Sequence, residues 1–252
     1  MESEKARVFR CRITGPQSID RLDPLIRNLL EVNNISKISS SNTCEYYDYI
    51  WETTCERNMR EKHKQATVLN KLHNTVVIES KSNQAFLQLN MQCPVLETLI
   101  ACGMTSVCNW CTDRWLTGKK GAAKEVSSDW WVLKASHGNG GKDIWLLNCS
   151  NFKSVLAELT ANEEYVIQKY IMRPKLLNGK KFHFRCYSLL RADFSCFVYQ
   201  KAFLLTAGVE YDPSSECTNS HITNLSINKA FKDHPGQIPC DLQAEYPVVC
   251  IV

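Results

Sequence analysis

The stretch WWVLKASHGNGGKDIWLL, residues 130–147, carries the most distinctive pattern in the chain. Two apolar runs flank a small polar turn that contains three glycines, Gly138, Gly140 and Gly141. The turn is bracketed by two lysines, Lys134 and Lys142. Short apolar runs separated by glycine predict two β-strands joined as a hairpin. We therefore expect strands over 130–134 and 143–147.

The glycine turn has two interpretations. Backbone amides without a neighbouring Cβ can approach phosphate oxygens closely, and flanking lysines add positive charge, which favours a nucleotide site. The alternative is a plain hairpin loop whose glycines only supply a positive φ. A Walker loop requires Ser or Thr after its lysine, where Asp143 stands. A Rossmann turn leads from a strand into a helix, whereas a second strand is expected here.

The bulk composition is that of a globular protein. The chain has 252 residues, of which 44% are hydrophobic and 22% are charged. It contains no apolar run long enough to cross a bilayer, and its charged N-terminus does not resemble a secretory signal. The net charge of +4 is modest and does not by itself indicate nucleic acid binding. These features predict a soluble cytoplasmic protein without membrane or nucleic acid partners.

Thirteen cysteines are an unusually high number for such a chain. The number is odd, and the chain is neither short nor loop-rich, so we expect reduced, mostly buried thiols rather than a disulfide scaffold. A zinc site is the alternative for one group of four, Cys93, Cys102, Cys108 and Cys111. Only one pair in this group has the C-x-x-C spacing, whereas structural zinc sites usually have two.

The N-terminal part of the sequence predicts a small α/β domain over 1–60. Apolar and polar residues alternate over 7–13, which indicates a half-buried strand. Leucine and isoleucine recur at helical spacing over 18–31, which predicts an amphipathic helix. A further helix is expected over 56–73.

The remaining pattern predicts a helix over 151–160 and several strands. The expected strands are 164–171, 183–192 and 196–206, with a turn-rich link over 173–182. The lysine- and glycine-rich segment 118–125 is expected to be a mobile loop.

A basic run lies between Lys169 and Arg185 and contains no Asp or Glu. Its six basic residues are Lys169, Arg173, Lys175, Lys180, Lys181 and Arg185. Such a run is either a solvated basic face or a channel for phosphates or an acidic partner.

Together these features resemble the ATP-grasp fold, and specifically the tubulin tyrosine ligase family. Four segments carry the resemblance: WVLKASHGNGGKDI (131–144), VIQKYIMRPKLLNGKKFHFRCYSLL (166–190), FVYQKAFLLTA (197–207) and SHITNLSINK (220–229). The resemblance implies an α/β fold in which a small N-terminal α/β domain precedes an incomplete ATP-grasp module. The module would comprise a central subdomain over 61–167 and a partial C-terminal subdomain over 168–252. Within the family, overall similarity is expected to be nearest to the tyrosine-adding member.

The resemblance also implies a set of site residues. Lys134 would contact the phosphates of ATP, and the loop over 136–142 would close over them. The loop contacts would be Ser136, Gly138, Gly140, Gly141 and Lys142. The adenine edge would be bound by the backbone of Gln168, Lys169, Tyr170 and Ile171. Lys181 and His183 would lie near the nucleotide, with Thr223 and Asn224 at the back of the site. Lys181 and Arg185 are the implied catalytic residues, and Arg185 would neutralise the reacting carboxylate.

The family's chemistry is ATP-dependent formation of a peptide bond through an acyl phosphate. In such reactions the enzyme mainly positions the reactants and neutralises charge. The resemblance implies ATP with Mg²⁺ as cofactors and the acidic C-terminal tail of α-tubulin as the acceptor. Tyrosine is the expected amino acid. The basic run suits both a triphosphate and a glutamate-rich tail.

Three departures from the family's pattern bear on activity. His183 stands where the family has an aspartate in K-F-D-x-R, and Leu205 stands where it contributes an arginine. An imidazole is a poor substitute for a carboxylate near Mg²⁺, which prefers hard oxygen ligands. After residue 229 no segment resembles the one with the family's acidic metal ligands. We therefore expect impaired ligase activity and exposed apolar surface, and the alternative is a non-catalytic protein that binds tubulin or nucleotide.

Overall fold

The computed structural model divides the chain into two compact units, 1–77 and 78–252. The described residues are 11–14, 47–52, 64, 66–69, 80–91, 96–117, 129–193, 195–231 and 234–241. The helix expected over 18–31 and the loop expected over 118–125 lie outside them.

The first unit contains a parallel sheet of three short strands. They are β1 (Cys11–Thr14), β2 (Tyr47–Glu52) and β3 (Ala66–Leu69), in the order β1-β2-β3. Cys11 pairs with Tyr49, and Tyr47 pairs with Ala66. The prediction of a helix over 56–73 is therefore wrong at β3, which is a strand. Its sequence includes the β-branched Thr67 and Val68, and pairing with a distant strand overrides a local helical periodicity.

The second unit combines strands with short helices. The helices are α1 (Lys81–Asn90), α2 (Gly103–Cys111), α3 (Phe152–Glu158), α4 (Thr218–His221) and α5 (Leu225–Asn228), and a π-helical turn, Thr112–Leu116, follows α2. One antiparallel sheet has the order β4-β7-β5-β6, from β4 (Thr98–Cys102), β7 (Glu164–Lys169), β5 (Trp131–Ala135) and β6 (Ile144–Leu147). A second has the order β13-β12-β9-β8, from β13 (Ile238–Asp241), β12 (Lys201–Thr206), β9 (Lys180–Arg185) and β8 (Leu176–Leu177). A separate ribbon pairs β10 (Ser188–Leu190) with β11 (Cys196–Val198).

Strand β5 has two buried faces with different roles. Trp131, Leu133 and Ala135 belong to the main core, which also includes residues of α2 and α3. Val132 and Lys134 alternate with them and therefore point to the opposite face of the sheet. Val132 belongs to a second, smaller apolar cluster on that face. One strand thus packs the core and lines the opposite side.

The predicted glycine hairpin is confirmed. Strands β5 and β6 pair antiparallel, with Lys134 opposite Ile144 and Trp131 opposite Leu147. The helix expected over 151–160 is α3, and the strand expected over 164–171 is β7. The mixed α/β class expected from the sequence is also confirmed.

The second sheet also separates apolar and polar residues by face. On β9, Phe182 and Phe184 pack against a small core around Leu204 and Cys240. The alternate residues of β9, which are Lys181, His183 and Arg185, lie on the other face. The strands expected over 183–192 and 196–206 are each interrupted, so that their adjoining ends form the β10–β11 ribbon.

The β10–β11 ribbon exposes much of its apolar surface. Leu189 is 62% exposed, Phe197 is 53% exposed, and Tyr199 beside them is also exposed. This agrees with the expectation of exposed apolar surface. Among the described residues, no helix combines the length and the apolar character that a membrane span requires.

A charge cluster around Asp129 fixes the start of β5. Arg114 donates to both carboxylate oxygens, at 2.6 Å and 3.1 Å, and Lys169 forms a second ion pair with Asp129. The Arg114 guanidinium lies 4.4 Å from the centre of the Trp131 ring. Burial alone would raise the pKa of Asp129, but the hydrogen bonds from Arg114 and Lys169 lower it to about 2. The cluster ties the end of β7 and the π-helical turn to β5.

We predict that Asp129→Asn lowers the free energy of unfolding by about 1–3 kcal/mol, because two partly buried cations lose their counter-charge. Since the folded-state pKa lies below the ordinary value of about 4, this stabilisation should be present at neutral pH and lost as the pH falls toward 2. Urea unfolding at several pH values measures it. The matched control is Asp113→Asn at an exposed position, with an effect within about 0.5 kcal/mol. Equal effects of the two substitutions at neutral pH would contradict the structural role of the cluster.

Candidate functional site

A cavity of about 650 Å³ lies between the two four-stranded sheets of the second unit. It is lined by residues of β5, β6 and β9, by the end of β7 and the segment after it, and by the link between α4 and α5. We call it the site cavity. Its residues come from distant parts of the sequence, and the two sheets bring them together.

One side of the site cavity is apolar. Val132, Leu146 and Tyr170 belong to the smaller buried cluster, and Ile144 packs against it. All four line the site cavity. They come from the cavity-facing positions of β5 and β6 and from the residue after β7. Such a surface can pack against a planar apolar ring, while polar groups at its edge fix the ring's orientation.

Lys134 is held in place on the opposite side of the hairpin from the main core. Its Nζ donates to Oε1 of Gln168 at 2.9 Å, and Nε2 of Gln168 donates to Oγ1 of Thr98 at 3.0 Å. Burial, and secondarily the nearby charge of Lys81, lowers the pKa of Lys134. The ammonium group therefore has a neutral partner, and an anion in the site cavity would stabilise its charged form.

Lys181 begins a chain of hydrogen bonds along the wall of the site cavity. Its Nζ donates to the hydroxyl oxygen of Tyr170 at 2.9 Å and lies 4.3 Å from the ring centre. The Tyr170 hydroxyl lies 2.8 Å from Nδ1 of His221, whose Nε2 lies 2.7 Å from the carbonyl oxygen of Ser215. Because a carbonyl only accepts, Nε2 carries the proton, and Nδ1 of a neutral imidazole accepts from Tyr170.

The charge state of Lys181 is sensitive to its surroundings. Burial, and then repulsion from Lys134, lowers the pKa of Lys181 to about 8. Burial is also the main cause that lowers the pKa of His221. Among the described residues, neither Lys134 nor Lys181 forms an ion pair with a carboxylate. Two half-buried lysines close enough to repel each other thus face a cavity whose described lining has no carboxylate.

His183 and Leu205, the two departures noted in the sequence, occupy one place in the fold. They are direct cross-strand partners on β9 and β12. Nδ1 of His183 lies 2.6 Å from Oγ1 of Thr223, which connects the strand to the α4–α5 link. Burial, and then the charge of Arg185, lowers the pKa of His183, which favours the neutral imidazole. The position therefore carries no negative charge.

The structure brings nine of the expected site residues to the site cavity. They are Lys134, Gln168, Lys169, Tyr170, Ile171, Lys181, His183, Thr223 and Asn224. Six others do not line it: Ser136, Gly138, Gly140, Gly141, Lys142 and Arg185. Arg185 shares the cavity-facing side of β9 but is exposed at the end of the strand.

Three polar or charged residues of the site cavity were not among the expected site residues. Arg173 and Lys175 line it, although only their membership of the basic run marked them in the sequence. His221 also lines it, and a single histidine in a short polar segment gave no signal of its role. Contacts between segments far apart in the chain revealed this role.

The start of α1 holds the glycine turn from behind. Nζ of Lys81 donates to the carbonyl oxygen of Ala135 at 3.0 Å and also to that of Gly138. Ser136 is buried, and its Oγ lies 2.7 Å from Oγ of Ser82. The backbone N–H of Lys81 donates to the carbonyl oxygen of Ser136 at 3.1 Å. Ser136 thus shapes the turn from the side of α1, away from the site cavity.

The front of the glycine turn rests on the start of α5. Oγ of Ser226 donates to the carbonyl oxygen of Gly140. Gly141 has a φ of +80°, and a Cβ there would come within 2.9 Å of Cδ1 of Ile227 and 3.0 Å of Asn224. Asn224 itself lines the site cavity. The turn therefore contacts the cavity's back wall, and its glycines permit that close approach.

The residues of the site cavity do not fit a magnesium site. Mg²⁺ prefers carboxylate and other hard oxygen ligands, and the lining contains no Asp or Glu. Within the described ranges, no three His, Cys, Asp or Glu side chains are grouped to hold a metal ion. The zinc alternative gains no support there either. Cys111 lies in the main core, and burial, then the nearby Cys108, raises the pKa of its thiol to about 12. Cys93 lies outside the described residues.

Comparison with known families identifies the class of protein. Residues 58–238, which include the whole site cavity, match the model of the "Tubulin-tyrosine ligase family". The chain belongs to this family. The mixed α/β fold with its antiparallel sheets is consistent with a partial ATP-grasp domain of that kind.

Individual relatives agree with the family. The chain is 27% identical over 116 residues to tubulin polyglutamylase TTLL5 of Mus musculus, a match that covers 44% of this chain and 8% of the relative. It is 30% identical over 107 residues to tubulin glycylase 3A of Drosophila melanogaster, covering 40% of this chain and 11% of the relative. It is 31% identical over 120 residues to tubulin polyglutamylase ttll-11 of Caenorhabditis elegans, covering 44% of this chain and 16% of the relative. The chain thus spans a small fraction of each relative's length.

We predict that Gly141→Ala destabilises the second unit more than Gly236→Ala does. Both glycines have a positive φ, +80° and +74°, so both substitutions introduce backbone strain of about 1–2 kcal/mol. Only at Gly141 does the added methyl group meet neighbouring atoms, whereas nothing lies within 4 Å of the corresponding Cβ at Gly236. The difference in the free energy of unfolding should be about 1–3 kcal/mol. Urea unfolding of both variants measures it, and equal losses would show that the turn does not rest on α5 as described.

Proposed function

We propose that the site cavity binds ATP and that the chain is the ATP-binding part of a ligase that joins an amino acid to a tubulin tail. The observation that carries this proposal is that one cavity combines an apolar wall with two half-buried lysines, Lys134 and Lys181, which form no ion pair with a described carboxylate. A nucleotide has the same two parts, a planar base and a polyanion. The family membership and the names of the relatives support the same reading.

The adenine ring would lie against Val132, Leu146 and Ile144. The backbone near the end of β7 would bind the ring's edge, but part of it is already occupied. The N–H of Lys169 donates to the carbonyl oxygen of Glu97 at 2.8 Å, and the N–H of Tyr170 donates to that of Trp130 at 3.0 Å. These contacts leave the N–H of Ile171 as the donor that we assign to the adenine edge.

The phosphates would lie between Lys134 and Lys181. Burial disfavours each ammonium group, and repulsion from Lys134 further disfavours that of Lys181. A polyanion between them would replace repulsion with attraction and would raise both pKa values. The glycine turn contacts Asn224 at the back of the cavity, so its backbone is placed to approach the phosphates from that side.

The proposed reaction has two steps. An oxygen of the acceptor carboxylate attacks the γ-phosphorus of ATP, the bond to the β-phosphate oxygen breaks, and ADP leaves. The amino group of the incoming amino acid then attacks the acyl carbon, loses a proton and expels inorganic phosphate. Arg185, exposed on the cavity-facing side of β9, would neutralise the acceptor carboxylate. The residues contribute through position and fixed charge.

The acceptor would approach over a basic surface. Arg173 and Lys175 line the site cavity and, among the described residues, form no ion pair with a carboxylate. A glutamate-rich tubulin tail, that of α-tubulin in the expected reaction, has the complementary charge. Tyrosine stays a prediction for the added amino acid, while the relatives' names make glutamate and glycine equal candidates. A cytoplasmic protein associated with tubulin follows from the same proposal.

We predict that saturating ATP stabilises the wild-type chain and that Lys134→Met removes most of this effect. At about 100 times its dissociation constant, a ligand adds roughly 2.7 kcal/mol to the stability of the folded state. Thermal unfolding with and without ATP measures the shift in Tm. The matched control is Lys153→Met, which removes an exposed lysine on α3, outside the site cavity.

Three outcomes decide this proposal. A shift in Tm that Lys153→Met retains and Lys134→Met loses supports the site. An equal shift in all three proteins would place ATP elsewhere, and no shift in a cooperatively unfolding wild type would reject ATP binding. Incorporation of radiolabelled glutamate, glycine or tyrosine into tubulin then tests the ligase activity and the amino acid.

A further inference from the structure

The charges around the site cavity have one sign. Five lysine and arginine residues line it: Lys134, Lys169, Arg173, Lys175 and Lys181. The two histidines of the lining, His183 and His221, form hydrogen bonds to the uncharged side chains of Thr223 and Tyr170. The described residues of the lining include no Asp or Glu. A cavity with this lining attracts anions and repels divalent cations.

Three described carboxylates outside the lining have partners of their own. Asp129 binds Arg114 and Lys169, and Glu164 accepts a hydrogen bond from Ser82 at 2.7 Å. Asp212, whose charge reaches His221, accepts hydrogen bonds from Ser214 at the surface. None of the three lines the site cavity. A metal ion bound there would find no carboxylate ligand among the described lining residues, only neutral donors such as Thr223 and Asn224.

We propose that the site cavity takes the phosphates of the nucleotide directly on its lysines and needs no divalent metal ion to do so. We assign this independence of a metal ion to His183, because this residue occupies the middle of the cavity-facing side of β9, between Lys181 and Arg185. Its hydrogen bond to Thr223 fixes the ring at a place where a carboxylate would supply a hard oxygen ligand. Its cross-strand partner Leu205 is buried and apolar, so the opposite strand adds no oxygen ligand either.

Charge balance gives the direction of the effect. Free ATP carries about two more negative charges than its magnesium complex, and among the described residues the two half-buried lysines form no ion pair with a carboxylate. Each additional favourable charge contact in a partly buried site strengthens binding by an appreciable factor. We therefore expect ATP to bind in EDTA at least as tightly as in excess MgCl₂.

The test is isothermal titration of ATP into the 252-residue chain at pH 7, where Lys181 is charged, in EDTA and then in excess MgCl₂. This inference rests on the proposed function, and the experiment separates the two. Binding that is equal or tighter in EDTA supports metal-independent binding. Binding that is tighter in MgCl₂ by more than about threefold overturns it while leaving ATP binding intact. No binding in either buffer overturns both.

A pair of variants tests the role assigned to His183. His183→Asp places a carboxylate between the two flanking cations, and we expect its ATP affinity to rise on addition of MgCl₂. His183→Asn is of similar size and neutral, so its affinity should show no such gain. If His183→Asp binds ATP without any gain from MgCl₂, or if His183→Asn gains equally, the assignment to position 183 is wrong. A folded spectrum and an unfolding transition for both variants exclude a loss of structure as the cause.

Discussion

The site cavity depends on a constraint on one strand. β5 lies inside its sheet, between β6 and β7, so both of its edges are paired, and apolar clusters pack on both of its faces. Trp131, Leu133 and Ala135 pack the main core, and this packing leaves Lys134 no direction except the opposite face. The half-buried ammonium group has Gln168 as its hydrogen-bond partner among the residues that the structure describes. The packing of the core thus keeps the positive charge of Lys134 in the cavity. An anionic ligand would neutralise this charge.

A second constraint comes from the sheet that contains β9. Phe182 and Phe184 must face the small core around Leu204, so Lys181 and His183 must face the cavity. Because two sheets with separate cores face each other, the lysines of both meet across one space. Repulsion between Lys134 and Lys181 then adds to the effect of burial on the pKa of Lys181. The glycine turn, held by Lys81 on one side and by Ser226 on the other, closes the back of the arrangement.

Local patterns were sufficient to predict the hairpin, α3 and β7. The apolar runs on both sides of the glycine turn, and the regular spacing within each run, do not depend on distant contacts. The patterns failed where pairing with a distant strand decided the structure. β3 lies within a window that has helical spacing, and its pairing with β2 is not visible in that window. The interruptions between β9 and β10 and between β11 and β12 likewise depend on distant pairing, because each continuous stretch of chain contributes one strand to the four-stranded sheet and one to the ribbon.

The residues of the site could be predicted only in part. The order of motifs identified Lys134, Gln168 and Lys181, all of which line the site cavity. The order of motifs could not show whether the glycines of the turn would contact a ligand or would only allow the turn to pack against α5. His221 could not be predicted, because its role depends on Tyr170, which lies 51 residues earlier in the chain. The strand register that places His183 opposite Leu205 could not be predicted from the sequence either. Each of the two residues could be recognised separately as a departure from the family pattern.

Hydrogen–deuterium exchange with and without ATP would show whether ATP binds in the cavity between the two sheets. If ATP binds there, it slows exchange in peptides that cover 168–171, 181–185 and 221–224, and leaves exchange in α2 of the main core unchanged. Protection confined to residues 1–77, or bound ATP with unchanged exchange in all three segments, would contradict binding in this cavity.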